Sequence, residues 1–329
     1  MPTLNPFASN DAFNLASLTA AINDLAYTPS LIRQLGVFDE QGVATTTALI
    51  EELNETLSLI TPKPRNAPGN PVVSDKRVIN TLSVPHIPQR ATIMADEVQG
   101  VREFGSESMA TPIQSAINRR LEKMRRQIDY TIEYHRLLAL AGTYMDANGS
   151  TQSAYTLLGG SRDSVDFVLG TSTTKIREKC LDAIGHVEDG LGGAPYTELH
   201  AICSLGFWSK LITHAKVEET FVYNEGAALR AGLTDAFQFG GITFHRYRGA
   251  GSAVVTSGKA FLLPVGVPDM YLSRFAPANY AETVNTIGLP YYAKSRMLDF
   301  DKGVEIEAQS NVLNIATRPT ALVELTTSN

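Results

Sequence analysis

The sequence predicts an α+β protein in which helices and strands interleave irregularly. Three observations predict it. A helical pattern of about 30 residues near positions 111–144 dominates the middle of the chain. Short runs rich in Val, Ile, Phe and Tyr crowd the second half. These segments show neither a regular strand–helix alternation nor an internal repeat.

From the N-terminus, Leu15, Leu18, Ile22 and Leu25 recur at three- and four-residue steps, which makes a short helical stripe. A helix that short is not stable alone in water, so it needs this chain's own body or another copy to lie against, and packing on a neighbouring copy is expected. Residues 46–60 read as a hairpin, with Leu49, Leu57 and Leu59 in the strands and Leu53, Asn54 and Glu55 at the turn. Residues 62–77, PKPRNAPGNPVVSDKR, hold four prolines, four basic side chains and hardly anything suited to a core. Behind them Val78, Asn80, Leu82 and Val84 alternate onto one face of a strand that stops at Pro85 and Pro88. Free two-stranded ribbons are marginal, so this one is expected to rest on a partner surface.

The long helix comes next. Pro112 suits its first turn, Ser108 or Thr111 can cap it, and DANGS at 146–150 ends it near Tyr144. Ile117, Leu121, Met124, Ile128, Ile132 and His135 form one seam, with Leu121, Met124, Ile128 and Ile132 as its core face. Arg119, Arg120, Lys123, Arg125, Arg126 and Arg136 are interleaved with Glu122, Asp129 and Glu133. That mixture predicts a solvated face laced with ion pairs rather than a nucleic-acid surface, so Arg125→Ala is expected to be tolerated. Beyond the helix, 165–170 reads as a strand, 174–193 as a helix closed by glycine, and 199–221 as a strand and a helix. Residues 240–249, 259–266 and 269–278 read as strands, and 302–325 as two more with Pro319 as the break.

The 329 residues carry a net charge of −6, which disfavours general nucleic-acid binding. Cys180 and Cys203 make neither a metal pair nor a disulfide framework and are expected to be small buried hydrophobes in a reducing compartment. The first basic residue is Arg33 and no apolar run is long enough to span a bilayer, so a soluble cytosolic product without a membrane contact is expected. TSGKA at 256–260 has alanines where a phosphate loop needs a glycine and a hydroxyl, and reads as a turn before a strand. GAG at 249–251 lacks a third glycine, and GLGGAP at 190–195 follows a helix, the wrong end for phosphate. The six histidines are scattered without metal-ligand spacing; His135 reads as a hydrogen-bonded core residue and His214–Glu218 as a helix-surface pair. No catalytic residue, metal or cofactor is therefore expected, and an enzyme would need an unrecognised constellation.

VPHIP at 84–88 runs into ADEVQGVREFG at 95–105 and LEKMRRQIDYTIEYHRLLALAGTYMDANG at 121–149. FLLPVGVPDMY at 261–271, NTIGLPYYAKS at 285–295 and IEAQSNVLNIATRPTALVEL at 306–325 follow in the same order. This ordered set resembles the major capsid protein of tailed bacteriophages, the lambda-like family of capsid protein E. The resemblance implies an N-terminal arm at 1–45 and an extended β-loop at 46–97 that lies over an adjacent subunit. It implies a peripheral domain at 98–165 and 292–319 with the long helix as its spine, and a mixed axial domain at 166–291 and 320–329. It further implies hexamers and pentamers that close into an icosahedral head around double-stranded DNA, assembled in the host cytoplasm and carried in the virion. Lys63, Arg65, Pro68, Pro71, Lys76 and Arg77 become the intersubunit contact. Partners implied are a decoration protein, a scaffold and a portal at one vertex, with weak non-specific DNA contact and no crosslinking through Lys63 or Lys76. The alternative within the fold is an encapsulin-like compartment around a protein cargo.

Overall fold

The computed structural model describes residues 15–25, 30–53, 77–98, 110–223, 236–249 and 251–328. The helices α1 (Leu15–Asp24) and α2 (Leu31–Gln34) precede the strands β1 (Asp39–Gly42), β2 (Thr47–Leu53), β3 (Arg77–Ser83) and β4 (His86–Met94). After α3 (Ala95–Val98) comes α4 (Ala110–Leu140), at 31 residues the longest described helix. Then follow β5 (Thr143–Met145), β6 (Thr151–Ser153), α5 (Ala154–Leu158), β7 (Asp163–Asp166), α6 (Ile176–Leu191), β8 (Glu198–Cys203), α7 (Leu205–Ile212) and α8 (Ala215–Tyr223). The chain closes with β9 (Ala236–Phe239), β10 (Ile242–Arg246), β11 (Lys259–Val265), β12 (Tyr271–Phe275), β13 (Tyr292–Met297), β14 (Gly303–Ala316) and β15 (Val323–Thr326).

Two sheets organise these elements. In the first, β14 is the central rail: β4 pairs along its Gly303–Asn311 stretch, β12 along Val312–Ala316, and β13 on the other edge. β1 adds a parallel strand outside β12. Val304, Ile306, Ala308 and Val312 face α4, while Leu313 and Ile315 face the β2–β3 ribbon, so the second half of β14 is buried on the face where its first half carries Glu305 and Glu307. The second sheet runs β7-β15-β11-β8-β10-β9. Its core strands are packed by α6 and α7 through Val187, Phe207 and Trp208. A turn at Pro319 carries the chain from β14 in one sheet to β15 in the other.

Several expectations change. The long helix stops at Leu140, short of Tyr144, because Gly142 adopts φ +71° and turns the chain into β5. A side chain at Gly142 would lie 2.4 Å from the Tyr155 ring. Thr111 sits inside the helix and is not its cap, and Ser108 lies outside the described residues. Pro88 does not end its strand: it pairs with Gln309 on the edge strand β4, where a missing N–H costs no ladder bond. The partner of β2 is β3, in register from Thr47↔Ser83 to Leu53↔Arg77, and the expected hairpin strand with Leu57 and Leu59 lies outside the described residues. β7 ends at Asp166, since Val168 takes φ +46°, and the expected single helix near 205–221 is two, broken at Thr213. β13, whose sequence YAKSRM is half polar, and β1, DEQG, carry no strand signal strong enough to be read in advance.

Candidate assembly surface

The N-terminal helix settles on this chain. Leu18 and Ile22 of α1 are buried against α4, β13 and β14 in the same cluster as Leu121, Met124, Ile128 and Ile132. Thr19 bonds the Ala293 carbonyl, and Asn23 donates to the Tyr291 carbonyl at 3.0 Å. Of the two packing partners open to it, its own body is the one it uses.

The expected solvated face of α4 divides into two. Arg120 reaches Glu97 at 3.0 Å, Arg126 reaches Glu122 at 3.5 Å, and these pairs are exposed. Arg125, Asp129, Glu133 and Arg136 are instead buried, which overturns their assignment to solvent. Arg125 holds Asp129 at 3.0 Å, donates to the Ile22 carbonyl, and lies 3.5 Å over the Tyr291 ring. The Tyr291 hydroxyl donates to the same Asp129. Glu133 accepts from Ser30 at 2.7 Å and from the Ile32 amide at 3.0 Å, serving as a remote cap on α2; burial pushes its pKa up. Arg136 meets Glu40 at 2.6 Å. Spaced at 125, 129, 133 and 136, the four side chains form a helical stripe beside the apolar seam, and it bolts residues 22–40 to the spine.

Of the extended-loop contact residues, Lys63, Arg65, Pro68, Pro71 and Lys76 lie outside the described residues. Arg77 opens β3 opposite Leu53. At the base of the ribbon, Ala48 and Ile50 are buried with Leu272, Leu313 and Ile315, so the root rests on this chain's own sheet rather than on a partner. Leu49, between them, faces out and is 60% exposed. The segment 54–76 leaves from the ends of β2 and β3.

Other apolar side chains stand in water. Val284, Ile287 and Leu289 project from the loop before β13, and Phe300 caps the β13–β14 connection at 90% exposure. That loop is held rigid: Thr283 bonds two carbonyls, Thr286 bonds a third, and the Gly288 amide donates to Val43. Exposed apolar groups on fixed supports suit subunit contacts. The only advance signal for them was apolar residues placed between turn formers.

Catalytic chemistry finds little support. Among the described residues, no three His, Cys, Asp or Glu side chains converge as metal ligands. Among the same residues, no helix is long and apolar enough to cross a membrane. Cys180 and Cys203 are free and buried, and burial pushes the Cys180 thiol up to about 12. Gly258 turns with φ +78° ahead of β11, and Lys259 pairs with Glu324 at 2.6 Å. His214 is no surface partner of Glu218; it is buried, donates to the Thr171 carbonyl and accepts from the Lys216 amide as the cap of α8. His135 is buried, as expected, but its Nδ1 has no hydrogen-bond partner.

The sequence profile of the family described as phage major capsid protein E matches residues 14–327. The major capsid protein of Pseudomonas phage KPP10 is 30% identical over 320 residues, covering 89% of this chain and 91% of that protein. The major capsid protein of Salmonella phage Felix O1 is 25% identical, covering 95% and 96%. The capsid structure of cyanophage P-SCSP1u superposes with a TM-score of 0.57 at 11% identity over 93% of this chain and 90% of that one, which shows a shared fold. The chain thus belongs to the phage major capsid protein E family: it is a structural protein of the virion capsid, part of a multimeric shell, and not an enzyme.

Proposed function

We propose that copies of this chain form hexamers and pentamers that close into the icosahedral head of a tailed phage around double-stranded DNA. The observation that carries this reading is the capsid-family match across residues 14–327, joined to a ribbon anchored at its root whose distal segment has few core formers. Residues 1–45 serve as the arm, fastened to its own subunit through α1, α2 and β1. Residues 46–97 are the extended loop over an adjacent subunit. Residues 98–165 and 292–319, with α4 and β14, are the peripheral domain, and residues 166–291 and 320–329 are the axial domain, which holds most of the six-stranded sheet while β12 pairs with β14 of the first sheet. Lys63, Arg65, Lys76 and Arg77 pair with acidic groups on the neighbour, while Pro68 and Pro71 limit the conformations lost on docking. A net charge of −6 keeps contact with packaged DNA weak. A scaffold, a decoration protein and a portal at one vertex complete the particle, which assembles in the host cytoplasm.

Replacing residues 54–76 with a short Gly-Ser turn between β2 and β3 tests the loop's part in this. The subunit's melt changes little, since the ribbon root keeps its own packing. Assembly suffers far more, because a loss of even about 1 kcal/mol per contact is repeated in every subunit of the lattice. Normal shells of normal stability from this variant would make the segment a passive linker.

A further inference from the structure

Two histidines 45 residues apart meet in the six-stranded sheet. His200 lies on β8 and His245 on β10, its parallel neighbour. Their rings meet edge to edge, with centroids 5.0 Å apart and planes 14° apart, and Nδ1 of His200 stands 2.7 Å from Nε2 of His245. Both side chains are buried. Nε2 of His200 faces a Glu198 oxygen at 2.9 Å. A carboxylate accepts only, so His200 carries its hydrogen on Nε2, and its bare Nδ1 accepts from Nε2–H of His245. A single hydrogen joins the rings.

Among the described residues, few other charges face this pair. β11 places Leu263 opposite His200, and β9 places Ala236 opposite His245. α7, with Lys210, packs through Trp208 against Phe237, which stacks on Phe244 on the reverse face of β10. Arg246 alternates onto that reverse face as well. On this sheet Lys259 and Glu324 engage each other at 2.6 Å. Among the described residues Glu198, itself 66% exposed, is the carboxylate that contacts the imidazole pair.

We propose that the His200–His245 pair is an acid-sensitive closure of the β8–β10 seam, which holds while a single hydrogen joins the rings and opens in acid. With both rings charged, two N–H groups would be aimed at one another 2.7 Å apart, in a buried site where water screens them poorly. Burial, and then His200, hold the His245 pKa down to about 4 from the ordinary 6.5. The closed seam is therefore fully favoured above pH 6.5 and loses that stability as the pH falls toward about 4. What opens is the β10–β9 margin, where β9 is the edge strand.

Hydrogen exchange of the full chain at pH 7 and pH 5, corrected for intrinsic rates, reads this directly. Protection of the β9 and β10 amides falls about 20-fold between the two values, given the shift in His245. In His245→Gln, which keeps a donor but does not titrate in this range, the fall disappears. No loss in the wild type, or an equal loss in the variant, overturns the proposal. Should His245→Gln not fold, imidazole ¹⁵N shifts of the wild type decide: a His245 ring that stays neutral well below pH 6.5 supports the proposal, and one that titrates near pH 6.5 contradicts it.

Discussion

Replacing Arg125 with alanine removes three interactions at once. The guanidinium holds Asp129 at 3.0 Å, bonds the Ile22 carbonyl, and covers the Tyr291 ring at 3.5 Å. The side chains of Arg125 and Asp129 are only 5% and 2% exposed. Without Arg125, Asp129 keeps the Tyr291 hydroxyl but has no counter-charge in direct contact. Breaking a buried pair from one side costs about 3–5 kcal/mol, because the surviving charge stays desolvated. Set against a typical total of about 5–15 kcal/mol, such a loss makes the subunit marginal. Urea unfolding of the unassembled subunit, followed by the fluorescence of Trp208 and by far-ultraviolet circular dichroism, measures it. Arg125→Met combined with Asp129→Leu recovers most of the loss, since neither charge then remains. Arg126→Ala, at an arginine 65% exposed, shifts stability by less than about 0.5 kcal/mol. If Arg125→Ala were as mild as Arg126→Ala, the stripe would not fasten the N-terminal segment to the spine.

Leu121 is 1% exposed between α1 and the first sheet, so Leu121→Ala lowers unfolding free energy by about 2–5 kcal/mol in the same assay, and an unchanged midpoint would put it on the wrong face. His135 is 5% exposed, and burial pulls its pKa from 6.5 down to about 4. The folded form thus resists protonation, and stability present above pH 6.5 drains as pH falls toward 4: about 2 kcal/mol is gone at pH 5. His135→Leu removes that share of the acid slope in urea titrations at pH 7 and pH 5; a slope equal to wild type would show that His135 is already solvated.

Local periodicity reveals elements whose packing is decided nearby. The stripes of α1 and α4 were legible because three- and four-residue spacing puts Leu18 and Ile22, or Leu121 and Ile128, on one side of any helix. The Pro319 break between β14 and β15 was legible for a similar reason. The buried charge stripe was not. Arg125, Asp129, Glu133 and Arg136 have the composition of a solvated face, and their deciding partners Ile22, Tyr291, Ser30 and Glu40 lie 96 to 162 residues away. The pairing of β2 with β3 across 54–76 is long-range, and local turn rules at 53–55 do not reveal it. β1 is polar and ends in glycine, and only its pairing with β12 makes it a strand. Among the candidate assembly residues, the spine seam followed from spacing, but the exposed Val284, Ile287, Leu289 and Phe300 depend on what the fold leaves uncovered.

Electron microscopy of the purified, assembled protein tests the central claim most directly. Copies of this chain are predicted to form closed icosahedral shells, with hexamers on the faces, pentamers at the vertices, and density from segment 54–76 lying across the adjacent subunit. Discrete small oligomers under conditions where the chain is folded, or shells in which 54–76 stays on its own subunit, would contradict it.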